Sequence, residues 1–189
     1  MGKRGISPVV ATVLILVILF VLVSIVAVFS VPFVRESLSG SEDCLEILGS
    51  TKFDDSKYNC NIEGEINPGE SAKRTGFSVK VDGEKVAALR VAFFSGGASD
   101  IVGLEPGEPG GVLSPRVRML GYDFCDEGCT AGAFEIPSKG EVRTYVAEGL
   151  FDKIEVSAVL SNGKVCDVSD QIEINQCIDT EVAKKILEH

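Results

Sequence analysis

Residues 6–34 read ISPVVATVLILVILFVLVSIVAVFSVPFV, a stretch of 29 residues without one ionisable side chain. It contains 21 Val, Ile, Leu and Phe residues, and about 20 apolar residues are enough to cross a bilayer. The stretch is apolar on every helical face, which excludes an amphipathic helix that lies in the membrane interface. We therefore predict a single membrane-spanning helix over residues 6–35.

The flanking residues predict the orientation of this helix. Lys3 and Arg4 precede it, and no acidic residue comes before Glu36, so the N-terminus is expected in the cytoplasm and the rest of the chain outside. A cleavable signal peptide has an apolar core of about 7–15 residues followed by a small-x-small site. Residues 29–32, FSVP, offer no such site, so the helix is expected to stay in the protein.

The two ends of the helix carry their own signals. Ser7 is a suitable N-cap, and Pro8 fits the first helical position, where its missing N–H costs nothing. Pro32 is expected to stop or kink the helix. Residues 36–43, which include Gly40, are predicted to form a polar hinge.

A short basic leader that ends in Gly comes directly before the apolar stretch, as Lys3-Arg4-Gly5 followed by Ile6. This junction resembles that of type IV prepilins, and the Ser-Pro that follows it is similar to archaeal type IV pilins, which carry a class III signal peptide. The resemblance covers residues 3–34. It implies that a prepilin peptidase cuts between Gly5 and Ile6 and removes the leader, residues 1–5. It also implies that the mature helix leaves the membrane to join the helical core of a filament.

One position departs from the bacterial pattern of this family. Bacterial pilins carry Glu at the fifth mature position, where this chain has Val10. Archaeal relatives often lack that Glu as well. The resemblance therefore still implies polymerisation, but no pair between the N-terminal ammonium and a carboxylate sets the register of neighbouring helices.

Small side chains recur at three-residue spacing in the second half of the helix, at Ser24, Ala27 and Ser30. Small residues allow two membrane helices to approach closely. We predict that these three contribute to helix–helix packing. The alternative is that a membrane helix merely tolerates them.

The charge of the chain limits its partners. The net charge is −10, and the first 34 residues contain two basic and no acidic groups, which leaves 16 basic against 28 acidic groups, or −12, in the remainder. An acidic surface repels nucleic acid and anionic lipid headgroups, so neither is expected as a partner. Solubility at a crowded exterior is the favoured account of such a surface.

Six cysteines lie in the part of the chain that is predicted to be outside: Cys44, Cys60, Cys125, Cys129, Cys166 and Cys177. An even number in that location predicts disulfide bonds. A zinc site that uses Cys125 and Cys129 is the competing interpretation. A closed zinc site needs four ligands, and the single histidine is His189, so no metal is predicted.

The pairing of the cysteines is open at this stage. Cys125 and Cys129 would close a small local ring. If the first and last strands run parallel, the remaining pairs are Cys44–Cys166 and Cys60–Cys177, and antiparallel strands would exchange the partners.

From residue 44 the sequence predicts short strands separated by turns. Asp82-Gly83 and Asn162-Gly163 are hairpin signals, the second the stronger. With no helical pattern between the strands, an α/β enzyme core is not expected. We predict an α+β protein in which the N-terminal helix precedes an all-β sandwich, immunoglobulin-like, over residues 44–178. The predicted strands cover residues 44–53, 57–66, 77–81, 85–94, 144–147, 153–160, 164–168 and 171–175.

Two segments depart from this strand pattern. Residues 95–140 contain half of the 20 glycines and four of the seven prolines, and they are predicted to be an insertion with short strands of its own. It can serve as a specificity loop, an inter-subunit contact or decoration. Residues 179–189 predict a short helix, capped by Asp179 or Thr180, that docks through Val182 and Ile186; a frayed tail is the alternative.

The chain contains no motif for a hydrolase, a zinc protease, a phosphate loop or a dinucleotide site. Clusters such as Asp54-Asp55, or Asp123 with Asp126 and Glu127, lack the spacing of a calcium loop and fit solvated loop charges better. No Asn-x-Ser/Thr sequon is present. We therefore predict neither a catalytic site nor a cofactor.

Together these observations favour a structural subunit of an archaeal type IV pilus-like filament. It would reside in the cell membrane before assembly and in an extracellular filament afterwards, and its partners would be copies of itself, a prepilin peptidase and the assembly machinery. Adhesion, contact between cells and motility are roles such a filament serves. The alternative is a non-polymerising, single-span surface protein with an extracellular binding module. A surface enzyme is the least favoured class.

Overall fold

The computed structural model describes residues 8–107, 115–121 and 134–188, and within these ranges it leaves out the side chains at 8–11, 29, 31–42 and 67. The chain divides into two compact units, with the boundary between Asp43 and Cys44. The described residues of the first unit, 8–43, belong to helix α1, and the second unit contains the last residues of α1 and all the described strands.

Helix α1 spans Pro8–Glu46. It does not end at Pro32, and residues 36–43 are helical rather than the predicted polar hinge. A proline inside a helix removes one hydrogen bond, but good helix formers such as Arg35, Glu36 and Leu38 follow it and favour continuation. The predicted strand at 44–53 is correspondingly shorter, because its first residues complete α1.

The second unit contains ten described strands and helix α2, and the strands form two sheets in a sandwich-like arrangement. In the first sheet the order is β10-β2-β3-β7-β6, with β1 beside the far end of β3; in the second sheet it is β5-β4-β8-β9. The unit is thus mostly β, as predicted. The bounds are β1 Thr51–Phe53, β2 Cys60–Asn67, β3 Glu70–Val81, β4 Val86–Ser95, β5 Ala98–Leu104, β6 Val117–Met119, β7 Glu141–Glu148, β8 Lys153–Leu160, β9 Val165–Glu173, β10 Asn175–Gln176 and α2 Thr180–Glu188.

An aromatic cluster lies between the two sheets. Phe77 on β3 contacts Tyr145 on β7 and Phe93 on β4, each with 5.5 Å between ring centroids. Phe151, just before β8, lies 4.8 Å from Phe93. All four side chains are buried, so these rings join the first sheet to the second through the apolar interior.

The Asp82-Gly83 pair does not form the predicted hairpin, because β3 and β4 belong to different sheets. Both edges of β3 are already occupied at its C-terminal end, where Val81 pairs with Thr51 on one side and with Glu141 on the other. The chain therefore has to cross to the second sheet. The Asn162-Gly163 hairpin is confirmed, since β8 and β9 are antiparallel neighbours.

A hairpin that the sequence analysis missed joins β4 to β5 through Gly96 and Gly97. Both glycines have positive φ, 57° and 88°, which is the backbone of a two-residue hairpin turn. Within 95–140, β5 forms an edge of the second sheet and β6 an edge of the first. The described strands of this segment therefore belong to the two main sheets.

Helix α2 packs on the outer surface of the first sheet. The carboxylate of Asp179 accepts hydrogen bonds from the backbone N–H groups of Glu181 (2.9 Å) and Val182 (3.3 Å), so Asp179 is the N-cap. Val182 and Ile186 are buried against Cys60 and Val146. The predicted C-terminal helix is therefore present and docked.

Candidate assembly surface

The first candidate surface is the apolar part of α1, residues 12–28. From 12 to 28 every side chain is exposed, and the large apolar ones keep between 48% and 73% of their surface accessible. Exposed apolar surface on this scale is typical of regions that contact lipid or another protein. Among the residues with described side chains, we find no helix that combines the length and the apolarity needed to cross a membrane.

Ser24, Ala27 and Ser30 are all exposed on α1. The Ser24 hydroxyl donates a hydrogen bond to the backbone carbonyl of Phe20 at 2.8 Å. Its donor is therefore satisfied within the helix, and an apolar neighbour can cover it without leaving that donor unpaired. Packing of these three residues against another helix stays a prediction.

The leader-processing residues Lys3, Arg4, Gly5 and Ile6 lie outside the described part of the chain, as does the predicted cap Ser7. Cleavage between Gly5 and Ile6 stays a prediction.

Two disulfide bonds join the beginning of the second unit to its end. Cys44–Cys166 links the last turn of α1 to β9, and Cys60–Cys177 links β2 to the residue that follows β10. The strand β10 runs parallel to β2, with Asn175 opposite Cys60. The pairing is thus the one expected for parallel first and last strands. Cys125 and Cys129 lie outside the described residues.

Two arginines hold the C-terminal end of α2. Arg74 on β3 donates to the backbone carbonyls of Ile186 (3.2 Å) and Leu187, and Arg118 on β6 donates to that of Ile186 at 3.5 Å. Carbonyls at the end of a helix lack partners within the helix, and cations there interact favourably with the helix dipole. Neither arginine could be predicted from the sequence, because nothing in a strand sequence marks contact with a distant helix.

Asn61 on β2 forms hydrogen bonds to the segment that connects β7 of the first sheet to β8 of the second. Its side-chain N–H donates to the carbonyl of Phe151 at 2.9 Å, and its side-chain oxygen accepts from the Thr75 hydroxyl at 2.5 Å. Phe151 begins the crossing into β8. The buried amide therefore satisfies backbone and side-chain groups that water cannot reach.

Two open grooves indent the second unit. One, of about 600 Å³, lies beside Glu84, Lys139 and residues 134–137; the other, of about 630 Å³, lies beside Lys73, Arg116 and Glu148. Their charges form ion pairs. Lys139 hydrogen-bonds Glu84 at 2.8 Å and thereby lowers the pKa of that carboxyl, and Arg116 contacts Glu148 at 2.6 Å.

Two carboxyls of the second unit, those of Asp82 and Glu84, have pKa values that are lowered by neighbouring lysines. A carboxyl whose pKa is lowered is a poor general acid near neutral pH. Within the described ranges, no three His, Cys, Asp or Glu side chains are grouped so that they could hold a metal ion.

The Lys52 and Lys80 ammonium groups both contact Asp82 at 3.1 Å and lower the pKa of its carboxyl. These ion pairs connect the loop between β3 and β4 to β1 and β3.

The chain matches no protein-family model, and comparison with curated proteins and with solved structures finds none that is similar. Its function is therefore inferred from its own residues.

Proposed function

We propose that this chain is the structural subunit of an archaeal type IV pilus-like extracellular filament. Residues 6–34 anchor it in the cell membrane before assembly and pack against copies of the same stretch afterwards. The observation that carries the proposal is the uninterrupted apolar stretch, exposed on all sides over 12–28, directly after a basic leader that ends in Gly5.

The free energy of burial favours an environment that surrounds the helix completely. Covering an apolar side chain that is half-exposed contributes on the order of 1 kcal/mol, and the described part of α1 contains more than a dozen such side chains. Lipid provides this cover in a membrane. Outside a membrane, identical helices provide it, and the small side chains of Ser24, Ala27 and Ser30 allow close approach.

The second unit suits display outside the cell. We propose that its sandwich is immunoglobulin-like, since β2-β3-β7-β6 and β5-β4-β8-β9 correspond to the strand orders A-B-E-D and C′-C-F-G of that fold. Its disulfide bonds persist in an oxidising environment. A head of this kind would face solvent while α1 forms the filament core.

The mature N-terminus tests the proposal. In cells with an active prepilin peptidase, mass spectrometry of the intact chain is expected to find Ile6 as the first residue. A Gly5→Val variant is the control and is expected to keep the leader and to stay in the membrane fraction. A wild-type chain that retains Met1 or Gly2 in such cells contradicts the proposal.

Assembly is tested separately by adding bulk to α1. Ala27→Leu is expected to reduce sedimentable filaments, seen by electron microscopy, because it separates neighbouring helices. Val28→Phe, on a different side of the helix, adds bulk where the side chain is already large and is expected to have the smaller effect. A processed chain that stays monomeric in detergent would instead favour a tethered, non-polymerising surface protein.

A further inference from the structure

The two sheets of the second unit differ in what covers their outer surfaces. Helix α2 packs on the outer surface of the first sheet, through Val182 and Ile186. On the second sheet, Ile101, Val168 and Val165 keep 52%, 48% and 39% of their surface exposed. We call the side of the second sheet that points away from the aromatic cluster the outer face.

The strand register shows which residues share this outer face. Ile154 and Val156 of β8 point into the core, so Lys153, Glu155, Ser157 and Val159 point outward. Pairing across the strands adds Ile101 opposite Ala92 and Phe94 opposite Lys153. It also adds Val168 opposite Ser157 and Val165 opposite Val159. Much of the outer face is therefore apolar or small.

The charges at paired positions on the outer face cancel. Arg90 and Lys153 are basic, and Glu155 and Glu173 are acidic, which gives a net charge of zero at these positions. The exposed Asp167, an unpaired residue of β9 between Val165 and Val168, adds one negative charge beside them. Residues 44–189 as a whole contain 15 Lys and Arg against 25 Asp and Glu, a net charge of −10. Two copies therefore repel each other over most of their surfaces, and the outer face is a place where that repulsion is weak.

Positive and negative side chains alternate on the outer face, so neither sign forms a cluster of its own. The Lys153 ammonium lies 2.6 Å from the Glu155 carboxylate and 4.3 Å from the centre of the Phe94 ring. A two-fold axis along the strands, between β4 and β8, would place Phe94 opposite Lys153 of a second copy and Ala92 opposite Glu155. No like charges meet in that arrangement, and the cation–π contact is repeated between copies.

We propose that the outer face of the second sheet is a docking surface for the same face of a second copy of this chain. The partner is a second copy because the surface carries at most one net negative charge on an otherwise acidic unit and is complementary to itself under a two-fold rotation. The inference depends on the proposed function only in that a filament supplies copies at high local concentration. A closed two-fold contact of this kind joins subunits in pairs or links two filaments side by side.

Isotope-resolved cross-linking tests the contact. A 1:1 mixture of unlabelled and ¹⁵N-labelled full-length chains is reconstituted in lipid vesicles and treated with a zero-length carbodiimide. Cross-linked peptides that combine one light and one heavy chain arise only between copies. We expect such pairs to join Lys153 to Glu155 or Glu173. Mixed pairs formed only by lysines elsewhere, such as Lys52 or Lys139, or no mixed pairs at all, overturn the proposal.

A pair of charge variants provides the matched test. Ile101→Glu places a carboxylate in the outer face and is expected to lower the yield of mixed Lys153 cross-links about tenfold. Val142→Glu makes the same charge change at a valine of the first sheet that is 41% exposed, and it is expected to leave that yield unchanged. If both variants lose cross-links equally, the loss comes from the added net charge alone, and the proposed surface is refuted.

The cross-linking experiment does not need filaments, so it separates this inference from the proposed function. Cross-links at Lys153 in vesicles, with a leader that is never cleaved in cells, would support the docking surface and refute the pilin-like subunit. A correctly processed chain without mixed cross-links at Lys153 would do the reverse.

Discussion

Two glycines in strands, Gly76 and Gly103, differ in what a methyl group would meet. A Cβ on Gly76 would contact the Tyr58 carbonyl oxygen and lie 2.7 Å from Ile186 Cδ1, whereas a Cβ on Gly103 would meet no atom within 4 Å. Neither glycine has a positive φ in the left-handed region. The absence of a side chain at Gly76 therefore allows α2 to approach the first sheet.

Replacement of these glycines by alanine tests that difference. Gly76→Ala is expected to lower the free energy of unfolding by about 1–3 kcal/mol, because it over-packs the contact beneath α2. Gly103→Ala is the matched control, and it is expected to be neutral or to stabilise by up to about 1 kcal/mol through the unfolded chain. Urea unfolding followed by circular dichroism measures both values. Equal effects of the two variants would contradict the close approach at Gly76.

Tyr145 shows how burial changes an ionisable group. Its ring is buried in the aromatic cluster, and its hydroxyl donates to the Glu135 carbonyl at 2.8 Å. Burial raises the pKa of this phenol above its ordinary value, because the charged form loses hydration. The phenol therefore stays protonated in the folded protein well into the alkaline range.

The raised pKa of Tyr145 predicts a loss of stability in alkali. Above about pH 10 the unfolded chain releases the phenolic proton while the folded chain retains it, so the free energy of unfolding falls as pH rises. Tyr145→Phe removes this contribution and one hydrogen bond, which is worth about 1 kcal/mol. Urea titrations at about pH 8 and about pH 10.5 should show a stability difference that narrows at the higher pH. A constant difference would show that Tyr145 does not carry the effect.

At the scale of elements, the turn and cap residues that were predicted correctly form these structures with residues close to them in the sequence. Asn162-Gly163 turns β8 into β9, and Asp179 caps α2, because both signals depend on local backbone geometry. Asp82-Gly83 has the same local chemistry but no hairpin, since β1 and β7 already occupy both edges of β3. The sequence does not encode that occupancy in any short segment, nor does it mark Arg74 and Arg118 as partners of α2.

The packing of α2 on the first sheet can be tested by a single substitution. Ile186 is fully buried against the first sheet, so Ile186→Ala is expected to cost about 2–5 kcal/mol through lost burial and a cavity. Ala183→Gly, in the same helix, is the control for a loss of helix propensity and is expected to cost about 1 kcal/mol. The two values come from urea unfolding of the full chain. If Ile186→Ala costs no more than the control, α2 does not contribute through packing.

At the scale of the whole molecule, two covalent links enclose nearly the whole second unit. The disulfides Cys44–Cys166 and Cys60–Cys177 span 122 and 117 residues. Both pairs follow from the sequence if the first and last strands are assumed to run parallel. The sequence alone does not distinguish that pairing from the exchanged one, because only the fold places β10 beside β2.

The two disulfides are expected to contribute almost equally. Closing loops of similar length removes similar entropy from the unfolded chain, so Cys60→Ala/Cys177→Ala and Cys44→Ala/Cys166→Ala should each cost about 2–4 kcal/mol. Chemical unfolding under non-reducing conditions measures both double variants. Costs that differ by more than about 2 kcal/mol would show that native-state contacts, rather than loop closure, dominate one of the links.

The arrangement of the same links has a consequence for biosynthesis. Because a ribosome makes the N-terminal part first, Cys44 and Cys60 emerge more than a hundred residues before their partners. The nascent chain consequently carries unpaired thiols throughout most of its translation. Oxidative folding of the head must wait for the last segment, so a truncated product that stops before residue 166 can form neither native bond and is left as a substrate for quality-control proteases.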